Sequence, residues 1–467
     1  MLNIISHLPQ KYCENILVAH NNHDMVYQVR GFQLHLIHLS TMQMDSGDDD
    51  SNSSSSRKIS VESNLVDIDY SSGRNLLLGC SQKGDVHLWD LRESNSKPVV
   101  QSNTNSANNG LSYTCCSISP DGSLICCGTE VCRVKKFDKK KRRKRHDSTD
   151  SDDETAHLVY WDTRCLSSPL GSIKDFHSED IVDVKFDPTS ISGYPRLLDC
   201  SHDGLVCLYN MQAAAALQDN TLLYMFNSES VASSCGWLLS SGAAGGGGGE
   251  SNDSIAGVYC TTTMRSNIRA WPIHPSMLIS NSGKIRDSDE EGEKEQGGET
   301  VDDNGEEEEE IILPEEEQEK LNKKTKLWNS KFINNNSLKG RKFFSVILQD
   351  KKSEEFLLLG EYANNNNTNG DDDDEDDEIE EGTSPAVFSS RQDDDDKSIW
   401  NVTCLPNTLS TNNNNNNSQI NDTSFNLQYA DFLRKPMDSD KQLCLMIGSR
   451  STVLCSYDVL SDRMKSI

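Results

Sequence analysis

The chain has 467 residues and a formal net charge of −29, and apolar side chains make up 34% of it. Ordinary globular chains are about 45–50% apolar, so part of this chain is excluded from a packed core. The length allows two or three average domains or one large repeat array. There is no run of about 18 apolar residues and no signal-peptide pattern at the start, so we predict neither a membrane span nor a leader.

The negative charge is concentrated in two acidic tracts. Residues 287–319 include eighteen acidic side chains and one lysine, and residues 371–381 include ten acidic side chains and no basic one. The rest of the chain is close to neutral. The overall charge therefore says little about the folded part of the protein.

The fifteen cysteines mostly lie within apolar runs, and no C-x-x-C pair occurs. This pattern favours reduced, buried thiols that act as small hydrophobic side chains. It argues against a zinc ribbon and against a disulfide scaffold, and it indicates a reducing compartment. No metal site is predicted from the cysteines.

Antiparallel β-structure is predicted from the N-terminal part of the chain onward. A first, degenerate unit is indicated by ENILVAHNNHDMVYQVRGFQLHLIHLS, residues 14–40. A clear unit follows in LVDIDYSSGRNLLLGCSQKGDVHLWDLR, residues 65–92. In this second unit apolar and polar residues alternate between Gly-containing turns, which predicts three strands, the last of them ending at Trp89 and Asp90.

The same pattern recurs in four further units, near residues 113–164, 177–212, 231–273 and 441–460. Trp161 and Tyr209 end equivalent strands and are 48 residues apart. Trp89 and Trp161 are also 48 residues apart once the low-complexity residues 133–156 are removed. A period of this size, with about four strands per unit, is close to the ~40–45 residues of a propeller blade.

These units resemble the WD40-repeat β-propellers. The resemblance implies an all-β, single-domain propeller over residues 1–467, with about six recognisable blades of seven. It also implies a structural hydrogen-bond network in which the aromatic residue ends the third strand and bonds a hydroxyl of the second strand, while a histidine bonds the turn aspartate. In the unit at 177–212 these positions hold Tyr209, Ser201, His177 and Asp203. The corresponding residues of other units are Ser81, Trp89, Asp90, Trp161, Asp162 and Trp271.

Four segments are predicted to be disordered insertions, near residues 43–58, 133–156, 281–340 and 361–424. Their high charge, or their long Asn and Ser runs, cannot offset the entropy lost on ordering. The second one contains a run of seven basic residues, Lys139, Lys140, Lys141, Arg142, Arg143, Lys144 and Arg145. This run suggests a nuclear localisation signal, with a solvated loop as the alternative.

The sequence predicts a non-catalytic scaffold for protein–protein interaction, located in the nucleus, the cytoplasm or both. The alternative is an acidic, chaperone-like protein that binds basic proteins such as histones or ribosomal proteins through its Glu and Asp tracts. No catalytic motif, cofactor site or metal site is evident, and binding to nucleic acid is disfavoured because the acidic tracts repel phosphate.

The end of the chain raises the question of ring closure. No apolar run follows Leu460, and the N-terminal unit is degenerate. We therefore expect an open ring that lacks one blade, with an exposed sheet edge. The alternative is that strand-like runs within residues 341–404 supply the missing blade.

Overall fold

Strands make up most of the regular structure in the protein. A computed structural model describes residues 2–10, 13, 16–21, 25–30, 33–38, 43–44, 59–60, 65–93, 98, 100–102, 111–131, 155–189, 195–212, 221–240, 254–263, 268–278, 314–333, 338, 341–350, 355–363, 383–392, 398–405, 427–438, 441–449 and 451–458. Within these ranges the strands form seven separate antiparallel sheets. Each sheet is one blade of a propeller.

The N-terminal half supplies the first four blades. Strand β1 (Leu2–Pro9) precedes them and belongs to the last blade. Blade 1 contains β2 (Ile16–Asn21), β3 (Met25–Arg30), β4 (Gln33–His38), β5 (Gln43–Met44) and β6 (Ile59–Ser60). Blade 2 contains β7 (Leu65–Ser71), β8 (Leu76–Ser81), β9 (Val86–Asp90) and β10 (Val100–Ser102). Blade 3 contains β11 (Tyr113–Ile118), β12 (Leu124–Thr129), β13 (Ala156–Asp162) and β14 (Gly171–His177). Blade 4 contains β15 (Ile181–Phe186), β16 (Arg196–Ser201), β17 (Leu205–Asn210) and β18 (Leu222–Asn227).

The C-terminal half supplies the remaining three blades. Blade 5 contains β19 (Ala232–Ser240), β20 (Ser254–Thr262) and β21 (Ile268–Pro272), followed by a 3-10 turn (Pro275–Leu278) and helix α1 (Glu315–Ile333). Blade 6 contains β22 (Phe343–Asp350), β23 (Glu355–Ala363), β24 (Thr383–Gln392) and β25 (Ser398–Cys404). Blade 7 contains β26 (Leu427–Asp438), β27 (Lys441–Gly448) and β28 (Ser451–Asp458).

The ring is closed, so the expectation of a missing blade is wrong. Strand β1 pairs antiparallel with β28, from Leu2 opposite Tyr457 to Pro9 opposite Ser451, and so completes blade 7. The first strands of all seven blades also contact their neighbours around the ring, including β26 with β2. Blade 6 is built from four strands between residues 343 and 404, where the sequence shows strand-like runs without a Trp-Asp pair.

The hydrophobic core lies between the blades. Seven clusters of buried apolar side chains are present, and each draws its members from two neighbouring blades. Successive side chains of a strand point to opposite faces of its sheet, so a blade with a neighbour on each side buries both faces. Strand β8, for example, is buried along its whole length. This arrangement explains why no single blade would be stable alone.

Two of the predicted insertions contain ordered elements, contrary to expectation. Helix α1 lies within residues 281–340, and strands β24 and β25 lie within residues 361–424. In α1 the side chains of Trp328 and Phe332, four residues apart, are buried against blades 5 and 6. Their burial outweighs the charged composition of the rest of the helix. Strand β5 likewise falls at the edge of the predicted insertion at 43–58.

Helix α1 stands where the other blades have a fourth strand. The side-chain carbonyl of Asn329 accepts a hydrogen bond from the backbone N–H of Ala270 in β21, at 2.9 Å. The indole N–H of Trp400 in blade 6 donates to the backbone carbonyl of Lys331, at 2.9 Å. The helix thereby covers part of the open edge of blade 5 and ties it to blade 6. No helix in the described part of the chain is both long and apolar enough to cross a membrane.

Candidate functional site

A buried polar cluster joins blades 3 and 4. His177 is the last residue of β14, and its Nδ1 lies 3.1 Å from a carboxylate oxygen of Asp203 in the β16–β17 turn. Its Nε2 lies 3.1 Å from Oδ1 of Asp199 in β16. The hydroxyl of Tyr209 in β17 donates to the other oxygen of Asp199, at 3.3 Å. Four side chains from three strands and a turn thus form one hydrogen-bonded chain.

Charge stabilises this cluster. Burial alone would lower the pKa of His177, but the negative charge of Asp199 and hydrogen bonds to Asp199 and Asp203 outweigh it and raise that pKa. Burial would raise the pKa of Asp203, but the bond to His177 and backbone N–H groups lower it. An imidazolium held between two carboxylates is consistent with both shifts.

Ser201 does not take the position that the family resemblance implies. Its hydroxyl donates to the backbone carbonyl of Glu179, at 3.0 Å, and accepts the backbone N–H of Asp203, at 3.2 Å. The aromatic residue of the third strand bonds Asp199, two residues earlier on β16. Because His177 is bonded to carboxylates on both nitrogens, these described residues do not form a nucleophile–base pair.

The network is incomplete in blades 2 and 3. Trp89 and Trp161 occupy the register of Tyr209, and the residues equivalent to Asp199 are Gly79 and Cys127. Neither offers a carboxylate, and the buried indole N–H groups of both tryptophans have no hydrogen-bond partner among the described residues. Their contribution is packing, as in the edge-to-face contact of Trp161 with a tyrosine of the same blade at 5.9 Å between ring centroids.

The remaining predicted network residues are placed as follows. Ser81 accepts the backbone N–H of Asp85 at 3.1 Å, within the β8–β9 turn. Asp90 and Asp162 each accept hydrogen bonds from the arginine two residues later, Nε to Oδ1 at 2.8 Å and 2.9 Å. Trp271 stacks on Phe226 of the neighbouring blade, with 5.2 Å between the ring centroids. The basic run at 139–145 lies outside the described residues.

The first strands of the blades, which line the central channel, carry carboxylates that bond the next blade. Asp67 accepts the backbone N–H of Cys116, at 2.8 Å. Asp183, at the equivalent position of blade 4, accepts the backbone N–H of Cys235 at 3.1 Å. In both strands the carboxylate follows a β-bulge at the start of the strand. Sequence analysis missed this feature, although LVDIDY and IVDVKF share the aspartate at the same place.

A further carboxylate closes the ring at blade 7. Asp431 of β26 accepts a hydrogen bond from the Ser345 hydroxyl of blade 6 at 2.6 Å, and it lies 3.0 Å from Nε2 of His20 in blade 1. Burial would raise the pKa of Asp431, but the bonds from His20 and Ser345 outweigh it and lower that pKa. One side chain therefore links three blades.

Lys185 is the cation among these channel carboxylates. Its Nζ lies 3.4 Å from Asp183, and its side chain is 44% exposed. The charge of Asp183, followed by those of Asp67 and Asp69, raises the pKa of Lys185. Burial raises the pKa of Asp67 to about 7, although Lys185 acts in the opposite direction. In the part of the chain described, this end of the channel thus has more acidic than basic groups.

Comparisons with known proteins find distant similarity. No family model matches the chain. It is 24% identical over 174 residues to an uncharacterized WD repeat-containing protein of Saccharomyces cerevisiae, covering 37% of this chain and 36% of that protein. It is 25% identical over 156 residues to an uncharacterized WD repeat-containing protein of Schizosaccharomyces pombe, covering 33% of this chain and 39% of that protein. The match therefore spans well under half the length of either relative.

One solved structure aligns with almost the whole of this chain. The β-propeller domain of Cps50 (Swd1) from Myceliophteria thermophila aligns with 97% of this chain and 99% of its own, at 10% identity and a TM-score of 0.47. The seven antiparallel sheets of this protein themselves establish the propeller fold. The chain is a seven-bladed β-propeller with distant similarity to WD repeat-containing proteins.

Proposed function

We propose that this protein is a non-catalytic interaction scaffold of the WD40 type, and that the channel mouth on the side of His177 and Asp203 receives a basic segment of a partner protein. The observation that supports this most directly is the excess of carboxylates around Lys185. Asp183 and Asp67 belong to the first part of their strands, so they lie toward the side on which those strands begin. An acidic opening attracts Lys and Arg side chains.

The non-catalytic part of the proposal is supported by how the polar side chains are used. The half-buried carboxylates of Asp67 and Asp183 bond backbone N–H groups of the next blade, and His177 is bonded to carboxylates on both nitrogens. These groups hold blades together. Groups that activate a substrate need a free reactive atom, which such bonding does not leave.

A second candidate function is an acidic, chaperone-like binder of basic proteins. Helix α1 favours it, because the first residues of α1, Glu315–Glu319, are the end of the tract at 287–319. The anchored helix therefore fixes one end of the acidic tract at the rim of blade 5. Clients bound in this way would be held by long-range attraction without a shaped pocket.

Affinity purification from native cells with quantitative mass spectrometry tests the first function. Lys185→Gln removes the channel cation, and we expect it to strengthen capture of a basic partner several-fold. Lys174→Gln, which removes an exposed lysine from β14, is the matched control and should leave capture unchanged. Equal effects of the two substitutions would count against docking at the channel.

The second function is tested by deleting residues 281–313, which spares α1 and its buried Trp328. If the tract binds clients, capture of basic proteins falls in the deletion and weakens sharply between low and high salt. If capture survives the deletion and changes with Lys185→Gln, the scaffold function stands alone.

We also propose a cellular location and a near relative for this protein. We place the protein in the nucleus, the cytoplasm or both, on the basis of the basic run at 139–145 and the reduced cysteines. Segments such as SVASSCGWL, residues 230–238, resemble WD repeat-containing protein 89, and we propose that protein as a near relative.

A further inference from the structure

We propose that the junction of blades 3 and 4 binds one structural Zn²⁺ ion through Nε2 of His177, the carboxylate of Asp199 and Sγ of Cys207. The three donor atoms all lie within 4.8 Å of one another. His177 is 2% exposed, and Asp199 and Cys207 are fully buried. Among the described residues this is the group of His, Cys, Asp and Glu side chains whose donor atoms converge this closely.

The backbone fixes the three donors. Asp199 and Cys207 are directly opposite each other in the β16–β17 register, so both side chains point to the same face of blade 4. His177 approaches that face from the end of β14 in blade 3. Two adjacent strands and the end of a third thus hold the ligands, and rigid elements of this kind make an accurate metal site.

The distances suit zinc. Zinc bonds nitrogen and oxygen at about 2.0–2.2 Å and thiolate sulfur at about 2.3 Å, usually in a tetrahedron. The edges of such a tetrahedron are roughly 3.3–3.7 Å. Nε2 of His177 and Oδ1 of Asp199 are 3.1 Å apart, close to such an edge, and the three donors lie within 4.8 Å of one another, so binding the ion draws them closer together.

The surrounding bonds are those that a metal-bound histidine requires. A ligating histidine commonly donates its other ring N–H to a carboxylate, which orients the ring. Nδ1 of His177 has Asp203 as this partner, at 3.1 Å. Asp203 is in turn fixed by the backbone N–H groups of Ser178 at 3.0 Å and Leu205 at 2.9 Å.

The ligand set also balances charge. Asp199 and a Cys207 thiolate together neutralise Zn²⁺, and binding releases the thiol proton and the proton on Nε2 to water. The mixed nitrogen and sulfur ligands favour zinc over magnesium or calcium, which prefer oxygen. The hydroxyl of Tyr209 donates to Oδ2 of Asp199, at 3.3 Å, and so orients this carboxylate.

The proposal goes beyond interaction with partners and concerns stability. A zinc ion bound by three buried side chains contributes its binding free energy to folding. Here the ion would link the end of blade 3 to two strands of blade 4. It would also account for a thiol and a carboxylate facing each other in a junction where hydrophobic side chains otherwise meet.

The test uses the purified full-length chain, loaded with zinc and passed through a desalting column equilibrated with a weak chelator. We expect one zinc per chain by elemental analysis in wild type and in Cys200→Ser, and a marked loss in Cys207→Ser. Cys200 is the matched control because it is a fully buried thiol of the same strand pair that packs in the neighbouring cluster.

Cobalt gives an independent readout that requires no variant. Co²⁺ titrated into the metal-free chain should produce tetrahedral d–d bands and a sulfur-to-cobalt charge-transfer band that saturate at one equivalent, and zinc should raise the melting temperature relative to the chelated protein. Absence of the charge-transfer band, or equal zinc content in wild type and Cys207→Ser, would overturn the proposal. Either result would mean that Nε2 of His177 keeps its proton and that any bound zinc is held by the acidic tracts.

Discussion

The hydroxyl of Tyr209 donates to Asp199, at 3.3 Å, and not to Ser201, two residues further along β16. A carboxylate in this place changes the character of the junction, because His177 then has acidic partners on both nitrogens. A hydroxyl would accept one neutral hydrogen bond at the same place. Charge-assisted bonds are roughly twice as strong as neutral ones, so the bonds to Asp199 hold this junction more strongly than bonds to a hydroxyl would.

Trp161 is expected to contribute mainly through packing. It is fully buried between blades 2 and 3, and its indole N–H has no partner among the described residues. Trp161→Ala should therefore lower the free energy of unfolding by about 3–5 kcal/mol, as for other buried aromatic residues. Chemical denaturation measures this directly.

The control for Trp161 is Trp161→Phe. It removes the unpaired N–H but keeps a ring against Tyr113, so its loss of stability should be much smaller than that of Trp161→Ala. If Trp161→Phe proves as damaging as Trp161→Ala, the indole N–H has a partner and the packing explanation fails.

Asp67 is expected to make the protein less stable as the pH rises. Burial raises the pKa of Asp67 from 3.8 to about 7 in the folded state. The folded chain therefore holds this proton more tightly than the unfolded chain, so the contribution of Asp67 to stability falls between about pH 4 and pH 7. Asp67→Asn keeps an acceptor for the Cys116 N–H and should gain roughly 1–2 kcal/mol relative to wild type at pH 8.

The pKa of Asp431 is shifted in the opposite direction to that of Asp67, so its effect on stability has the opposite dependence on pH. Its pKa is lowered, chiefly by the bond from His20 against the effect of burial, so its contribution is present at neutral pH and is lost as the pH falls through that lowered pKa. Asp431→Asn should be less stable than wild type at pH 7, with the difference shrinking toward pH 3. Melting temperatures measured from pH 3 to pH 8 test both Asp67→Asn and Asp431→Asn. Parallel curves for the two variants would contradict the opposite pKa shifts of these two carboxylates.

The sequence predicts the blades that carry the repeated motif, and it does not clearly predict the blade that lacks this motif. Regular alternation and the Trp-Asp pairs at Trp89 and Trp161 indicate blades 2 and 3, because each such strand has local turn signals beside it. Blade 6 lacks a Trp-Asp pair, and its strands are separated by acidic and Asn-rich stretches, so composition conceals it. The role of Asp199 is not predictable from the sequence, because a carboxylate in an apolar strand has no local signal and its partner, His177, comes from another blade.

Trp328 should contribute strongly to the attachment of helix α1. Trp328 is fully buried, packs edge to face on Phe356 with 5.3 Å between the ring centroids, and lies against Gly257 of blade 5. Trp328→Ala should cost about 3–5 kcal/mol and increase hydrogen exchange in β21. Leu327→Ala, next to it but 44% exposed, should change stability by less than about 0.5 kcal/mol. Similar losses for both would show that the helix does not pack as described.

The basic run at 139–145 gives a prediction about location. If nuclear import uses these seven residues, replacing all of them with serine should move a fluorescently tagged chain from nucleus to cytoplasm. The matched control replaces the acidic residues Asp150, Asp152 and Asp153, just after the run, with serine and should leave the distribution unchanged. Imaging that finds the basic-run variant distributed like wild type would leave the run as a solvated loop.

Ring closure should depend on a buried polar seam between blades 1 and 7. Gln28 is fully buried, and its amide donates to the hydroxyl of Thr452 at 2.9 Å across 424 residues of sequence, while its carbonyl accepts from Nε of Arg30 at 3.1 Å. Arg30 also donates to the backbone carbonyl of Ser449, at 3.2 Å.

Removing Gln28 leaves buried donors and acceptors without their partner, which typically costs about 1–3 kcal/mol. Gln28→Ala should therefore lower stability by that amount and speed hydrogen exchange of β28 and its partner β1 more than that of β8, because Thr452 of β28, opposite Leu8 of β1, loses the bond from Gln28. Gln33→Ala, an exposed glutamine on β4, should do neither, and uniform exchange across the ring in Gln28→Ala would show that closure does not depend on the seam.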